Sequence, residues 1–251
     1  MSRVQKKSIL VYSFGGAIML AFIIFSGAKS NTRQVEDLSI EVIDDDENYF
    51  TNNVEIADLL TNGNTDFIVG VKLRELESKN LEERLEKNPF VKDAQIYRDL
   101  AGTLQVRVAQ SKPIARVFTN GTQDRYIDAE GRILPVSARH TARVPLIETE
   151  SSFKWKSMYE SSFTAQVFRL LTYIGEHEFW RAQIAHIYVK NNGEIELLPQ
   201  VTKQKIVFGK PEKLEEKFSK LMTFYKDILP KKGWNVYNKV NLKFENQIIC
   251  E

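Results

Sequence analysis

The sequence predicts an α+β protein: a single N-terminal transmembrane helix, a small β-α-α-β-β domain, then a mostly antiparallel β-domain carrying two helices. Three observations carry that prediction. Ser8 to Ala28 is a run of 21 residues without a charge. Between residues 38 and 111, an alternating run, two helix-start signatures and two more alternating runs follow one another. From Lys112 onward, short strand candidates recur with two apolar helical stripes set among them.

The uncharged run reads ILVYSFGGAIMLAFIIF at its centre. At 1.5 Å per residue a helix of this length spans roughly 30 Å, about one hydrocarbon core. A buried soluble helix would keep a polar face, and this run has almost none. A cleaved signal peptide remains the alternative, since Arg3, Lys6 and Lys7 precede the run and Ser26-Gly27-Ala28 is a small-residue site. The run exceeds the usual roughly 7–15 apolar residues of a signal peptide, so an uncleaved anchor is expected over residues 8–28. Phe14-Gly15-Gly16-Ala17 inside it suits helix packing. The basic residues before the run put residues 1–7 in the cytoplasm, with Lys29 and Arg33 beyond it weakening the contrast. The rest of the chain is then extracytoplasmic, reached through a polar linker over 29–37.

In the first domain, 38–111, Leu38, Ile40 and Val42 alternate with polar residues as a strand does. Asn52 with Glu55 marks a helix start, followed by the stripe Ile56, Leu59, Leu60 and a stop at Gly63. Asn80 with Glu83 marks a second helix, ending at Asn88 because the residue before Pro89 is pushed out of the helical region. Ala94 and Ile96 then share one face of VKDAQIYR, and Leu104, Val106 and Val108 one face of TLQVRV. The link Asp99-Leu100-Ala101-Gly102 has hairpin length.

The second domain, 112–251, offers strands at 114–118, 124–128, 143–147, 185–190, 194–198, 205–208, 240–244 and 247–250. One helix is signalled by Phe163, Val167, Leu170, Leu171 and Ile174, the other by Leu214, Phe218, Leu221, Met222 and Tyr225. Glu212, Glu215 and Glu216 at the start of the latter suit the helix dipole. Its lysines Lys213, Lys217, Lys220 and Lys226 read as a solvated face.

Composition narrows the chemistry. Lys and Arg total 35 against 33 Asp and Glu, a net charge of +2, so no strongly basic nucleic-acid footprint is indicated. The single cysteine, Cys250, excludes an internal disulfide and a Cys-rich zinc site. His140, His177 and His186 lack metal-helix spacing. Asp44, Asp46, Asn48 and Glu55 mimic a calcium loop, but Tyr49 stands where the loop needs glycine. No phosphate-binding glycine loop or nucleophile elbow occurs in the sequence. Two rivals stay open: an anchored or secreted envelope enzyme, using converging carboxylates or a Cys250 thiolate, and a secreted soluble binding protein. A thiol so near the last residue has little around it to hold a base, so no catalytic, cofactor-binding or metal residue is assigned. The layout suits protein–protein contact through an exposed sheet edge.

Particular motifs then sharpen the reading. Pro89-Phe90-Val91, Thr103-Leu104-Gln105-Val106-Arg107-Val108, Lys112-Pro113-Ile114-Ala115, the Asp128 to Gly131 turn in RYIDAEGRILP, RVPLI and KVNLKFENQIIC occur in one order. Together they resemble the POTRA domain, its junction and the β-domain of the FtsQ/DivIB cell-division proteins. The resemblance implies a non-enzymatic, single-pass division-site protein of the cell (inner) membrane, with its bulk in the periplasm or its equivalent. It implies a scaffold joining early and late division proteins, needing no cofactor, small molecule or nucleic acid. The implied partners are the FtsB/DivIC and FtsL pair, taken by strand addition at the C-terminal end, and FtsK, through the POTRA domain. Carried over by position, the partner-binding residues are Val240, Asn241, Leu242, Lys243, Phe244, Gln247, Ile248 and Ile249. Asn241 stands where the family usually has aspartate, and the sequence stops at Glu251 without a longer tail.

Overall fold

In a computed structural model the described residues are 19, 34–43, 49–72, 74–99, 101–118, 123–150 and 157–251. The expected span over 8–28 lies outside them except for Met19, as do Asp44, Asp46 and Asn48 of the calcium-loop mimic. Among the described residues no helix is long and apolar enough to cross a membrane.

The chain divides into two units, one holding residues 1–44 and 51–110, the other 45–50 and 111–251. The first is built from β1 (Asp37–Ile43), α1 (Asn53–Leu60), α2 (Ser78–Glu86), β2 (Val91–Arg98) and β3 (Thr103–Gln110). Its sheet runs β1-β3-β2, with β3 parallel to β1 and antiparallel to β2. Asn52 caps α1 by accepting the Glu55 N–H at 2.9 Å. The second helix starts earlier than its signature suggests. Its N-cap is Glu77, and Asn80 lies inside it, where its side-chain amide turns back to the Glu77 carboxylate. Ile56, Leu60 and Leu85 meet Ala94, Ile96, Leu104, Val106 and Val108 in the core, so period-3.6 and period-2 stripes interlock.

The second unit has one nine-stranded sheet in the order β12-β11-β10-β9-β8-β7-β4-β5-β6. Its strands are β4 (Pro113–Phe118), β5 (Arg125–Asp128), β6 (Ile133–Pro135), β7 (Leu146–Thr149), β8 (Ile184–Val189), β9 (Ile195–Pro199), β10 (Lys205–Gly209), β11 (Lys239–Asn241) and β12 (Ile249–Cys250). Most neighbours pair antiparallel; β4:β7, β7:β8 and β10:β11 are parallel. The helices are α3 (Ser162–Glu176), α4 (Glu178–Gln183) and α5 (Leu214–Thr223), the last continued by a π-turn (Phe224–Ile228) and α6 (Leu229–Lys232). Two helices were expected here; α4 and the continuation of α5 are additional. The strand expected at 143–147 begins only at Leu146, and β6 carries no alternation long enough to announce it.

Val167, Leu170, Leu171 and Ile174 of α3 and Phe218 and Leu221 of α5 cover Ile147, Ile187, Leu197, Ile206 and Phe208 of the sheet. Between β5 and β6, the buried Asp128 carboxylate accepts the N–H of Glu130 at 3.1 Å and of Arg132 at 2.7 Å, and the Arg132 guanidinium at 2.7 Å. Gly131 completes that turn at φ +77°, where a Cβ would sit 2.9 Å from the Tyr159 ring.

Candidate protein-interaction edge

Of the eight residues expected to bind a partner, the structure separates core from surface. Val240 and Leu242 are 0% exposed and belong to the core of the second unit. Strand β11 is internal, with β10 on one side and β12 on the other. Leu242 N–H reaches Val207 O at 3.0 Å across the parallel pair. Lys239 and Glu251 exchange both backbone bonds, at 3.0 and 2.9 Å, across the antiparallel one. Val240 and Asn241 are therefore not an open edge. The expected strand over 240–244 stops at Asn241, and Lys243, Phe244 and Gln247 lie in the connection between β11 and β12.

The open edge on this side of the sheet is the outer side of β12. Hydrogen-bonded and non-bonded pairs alternate in an antiparallel ladder. Glu251 opposite Lys239 is a bonded pair and Ile249 opposite Asn241 is the next. The main-chain N–H and C=O of Cys250 consequently point away from β11, and Ile248 lies just before the strand. The side chains of both pack against the core of the unit, as Ile249 alternates to the other face.

The β11–β12 connection is held against α5. Lys220 Nζ donates to Phe244 O at 2.7 Å and to Leu242 O at 3.4 Å, and pairs with Glu216 at 3.1 Å. Lys213 pairs with Glu245, and Lys243 pairs with Glu194 at 2.6 Å. Asn241 Oδ1 accepts the Lys243 N–H at 3.0 Å, so this asparagine makes the turn out of β11 by a short local bond. Beneath Lys243 the chain passes Gly209 at φ +74°, where a Cβ would lie 2.8 Å from Lys243 Cγ.

The same residues line a cleft of about 300 Å³. Its deepest cation is Lys217, 8% exposed, whose ammonium donates to Lys210 O at 2.6 Å and sits 4.7 Å from the centre of the Phe208 ring. Burial, and then Lys220 nearby, push its pKa down. Of the four lysines expected as a solvated face, Lys213 and Lys226 are exposed, but Lys217 is buried and Lys220 clasps a loop. A sequence signal for Lys217 existed, because it stands three residues after Leu214 and four before Leu221, on the apolar stripe. The hold of Lys220 on the loop, Glu194 and Gly209 carried no comparable signal, since Leu242 O, Phe244 O and Lys243 are distant from them in sequence.

Chemically, Lys213, Lys217, Lys220, Lys243, Glu194, Glu216 and Glu245 in this cleft are engaged with one another or with carbonyls. Burial raises the Cys250 pKa, which keeps it a thiol. His186 faces Glu148 at 3.2 Å on the neighbouring strand, His177 stacks on Tyr173 at 4.2 Å, and His140 packs edge-on to Phe50 at 5.0 Å. Among the described residues no group of three or more His, Cys, Asp or Glu side chains converges as a metal site.

These features define a two-unit α+β protein: a small β-α-α-β-β unit, and a large sheet that leaves a two-residue strand at one edge. Residues 33–109 match the POTRA-like domain, and residues 112–251 match the family described as FtsQ/DivIB, C-terminal related. The chain is also similar to the cell division protein FtsQ of Rhodothermus marinus, 24% identical over 187 residues that cover 72% of this chain and 67% of the relative. The chain belongs to the FtsQ/DivIB family of cell-division proteins.

Proposed function

We propose that this protein is a non-enzymatic, single-pass scaffold of the division machinery, anchored by residues 8–28 with residues 1–7 in the cytoplasm and the POTRA and β-domains outside. It links early and late division proteins at the septum. It takes the FtsB/DivIC–FtsL pair by strand addition at the C-terminal edge, and FtsK through the POTRA unit. The observation that carries this reading is the outward-facing main chain of Cys250 on β12, whose N–H and C=O have no backbone partner among the described residues. An extended partner segment would pair there, and the side chains of Lys243, Phe244 and Gln247 in the adjoining connection would flank it. Val240 and Asn241 would act by holding β12 in place.

A crosslinking scan in growing cells, with a photoreactive residue placed singly from Val240 to Ile249, tests this. Capture of the FtsB/DivIC–FtsL pair from Phe244, Gln247 and Ile249, with none from the buried Val240 and Leu242, is the expected pattern. Capture of neither partner from any position would overturn it.

A further inference from the structure

The first unit carries a second surface feature in the loop between α1 and α2. Phe67 is 85% exposed and Val69 53% exposed, while Ile68 between them is 5% exposed and sits in the core of the unit. The buried Ile68 leaves its two neighbours facing outward, so this loop holds a large apolar tip in water as a matter of construction. Phe67 is the most exposed large hydrophobic side chain among the described residues.

The loop is also hydrogen-bonded to the point where the chain enters the unit. Val35 N–H reaches Val71 O at 2.9 Å, Gly70 N–H reaches Val35 O at 2.8 Å, and Gln34 bridges to Lys72. Gln34 follows Ala28, where the uncharged run stops, by six residue steps. Fully extended, those six steps reach about 20 Å. Phe67, three residues from Gly70, adds at most about 10 Å more. The apolar tip is thus leashed by backbone bonds within about 30 Å of the exit of the proposed anchor, whatever path residues 29–33 take.

We infer that the Phe67–Val69 tip is a membrane-contact element that inserts into the outer interface of the bilayer holding the anchor, seating the first unit on the lipid surface. This rests on the anchor proposed for residues 8–28. Phe67 supplies the kind of apolar, low-entropy side chain that interfacial anchors use. Arg84 engages Asp66 beside the tip at 2.8 Å, which removes a charge that would otherwise oppose entry into the headgroups. In the sequence on either side of the Gln34–Lys72 bridge, Lys29, Arg33, Lys72 and Arg74 are balanced by Glu36, Asp37 and Glu75, a net charge of +1. Insertion therefore depends on the apolar tip more than on anionic lipid.

The test uses the full chain in phosphatidylcholine nanodiscs, with and without added phosphatidylglycerol, in a Cys250→Ala background. A nitroxide is attached singly at Phe67→Cys, Val69→Cys, Leu20→Cys and, as an exposed site of the same unit, Glu83→Cys. Collision rates with oxygen, which partitions into lipid, and with a water-soluble nickel chelate are compared. The expected result is an oxygen-to-chelate ratio several-fold higher at 67, 69 and 20 than at 83, in both lipid mixtures. Adding Phe67→Asp to the Val69→Cys chain should bring its ratio down to that at 83. A lipid-like signal at 20 with a water-like signal at 67 and 69 overturns the membrane contact while the anchor stands. A water-like signal at 20 overturns the anchor, and the inference with it. Shielding of 67 from both reagents marks a protein contact and overturns the lipid assignment.

Discussion

Cys250→Pro probes the edge directly. Cys250 N–H points away from β11, so proline there leaves the bonds of Ile249 and Glu251 to β11 in place. What it removes is one donor available to an incoming strand. A partner carbonyl left without that donor forfeits a net bond of about 1 kcal/mol and bears a desolvation penalty of about 1–2 kcal/mol, together about 2–3 kcal/mol. That corresponds to a Kd weakened roughly 30- to 160-fold. Titration of the full chain in nanodiscs with the purified FtsB/DivIC–FtsL pair measures it. Cys250→Ala, which keeps the N–H and loses only the thiol, separates side-chain packing from main-chain pairing. Proline costing no more than alanine, in a chain whose thermal unfolding is unchanged, would refute pairing on the outer side of β12.

Other outcomes follow from the same geometry. Leu242→Ala should destabilise the second unit by about 2–5 kcal/mol in urea unfolding, since it empties a fully buried core site; a change of under ~0.5 kcal/mol would show that Leu242 is not core. Lys220→Met removes the ammonium from Phe244 O, Leu242 O and Glu216, and should speed amide hydrogen exchange across 242–248 while leaving the first unit unchanged. Burial pushes the Glu196 carboxyl up, but Lys190 at 2.7 Å and Lys205 at 3.2 Å outweigh it and hold its pKa below the ordinary 4.5; Lys243 does the same for Glu194. Both carboxylates thus contribute stability that is complete above about 4.5 and lost as pH falls through their lowered folded values. The urea midpoint of the second unit should drop between pH 5 and pH 3, as ~4.5 groups protonate, and Glu196→Gln should flatten that drop. Gly209→Ala should destabilise the unit by about 1–2 kcal/mol, because φ +74° strains any side chain and its Cβ meets Lys243.

The order of elements in the first unit was legible because it rests on local signals. Asn52 capping Glu55, the stripe Ile56–Leu60 and the alternation of Leu104, Val106 and Val108 all involve neighbours in sequence. Local signals also misled where two readings were equally local: Asn80 with Glu83 looks like a cap, yet Glu77 takes that place. The candidate edge was half legible. Alternation in KVNLKFENQIIC indicated two terminal strands, but a run of alternating residues is the same whether its strand lies inside a sheet or at its rim.

By itself the sequence determined the class, the stripes that build both cores, and the family, since periodicity, capping and motif order act over a few residues and survive any arrangement of the rest. Only tertiary structure decided that β11 lies between β10 and β12, that Lys220 turns inward onto the loop after β11, and that Cys250 carries the open main chain. Strand neighbours and edges are set by which distant segments pair, and that pairing leaves no mark on the residues beside it.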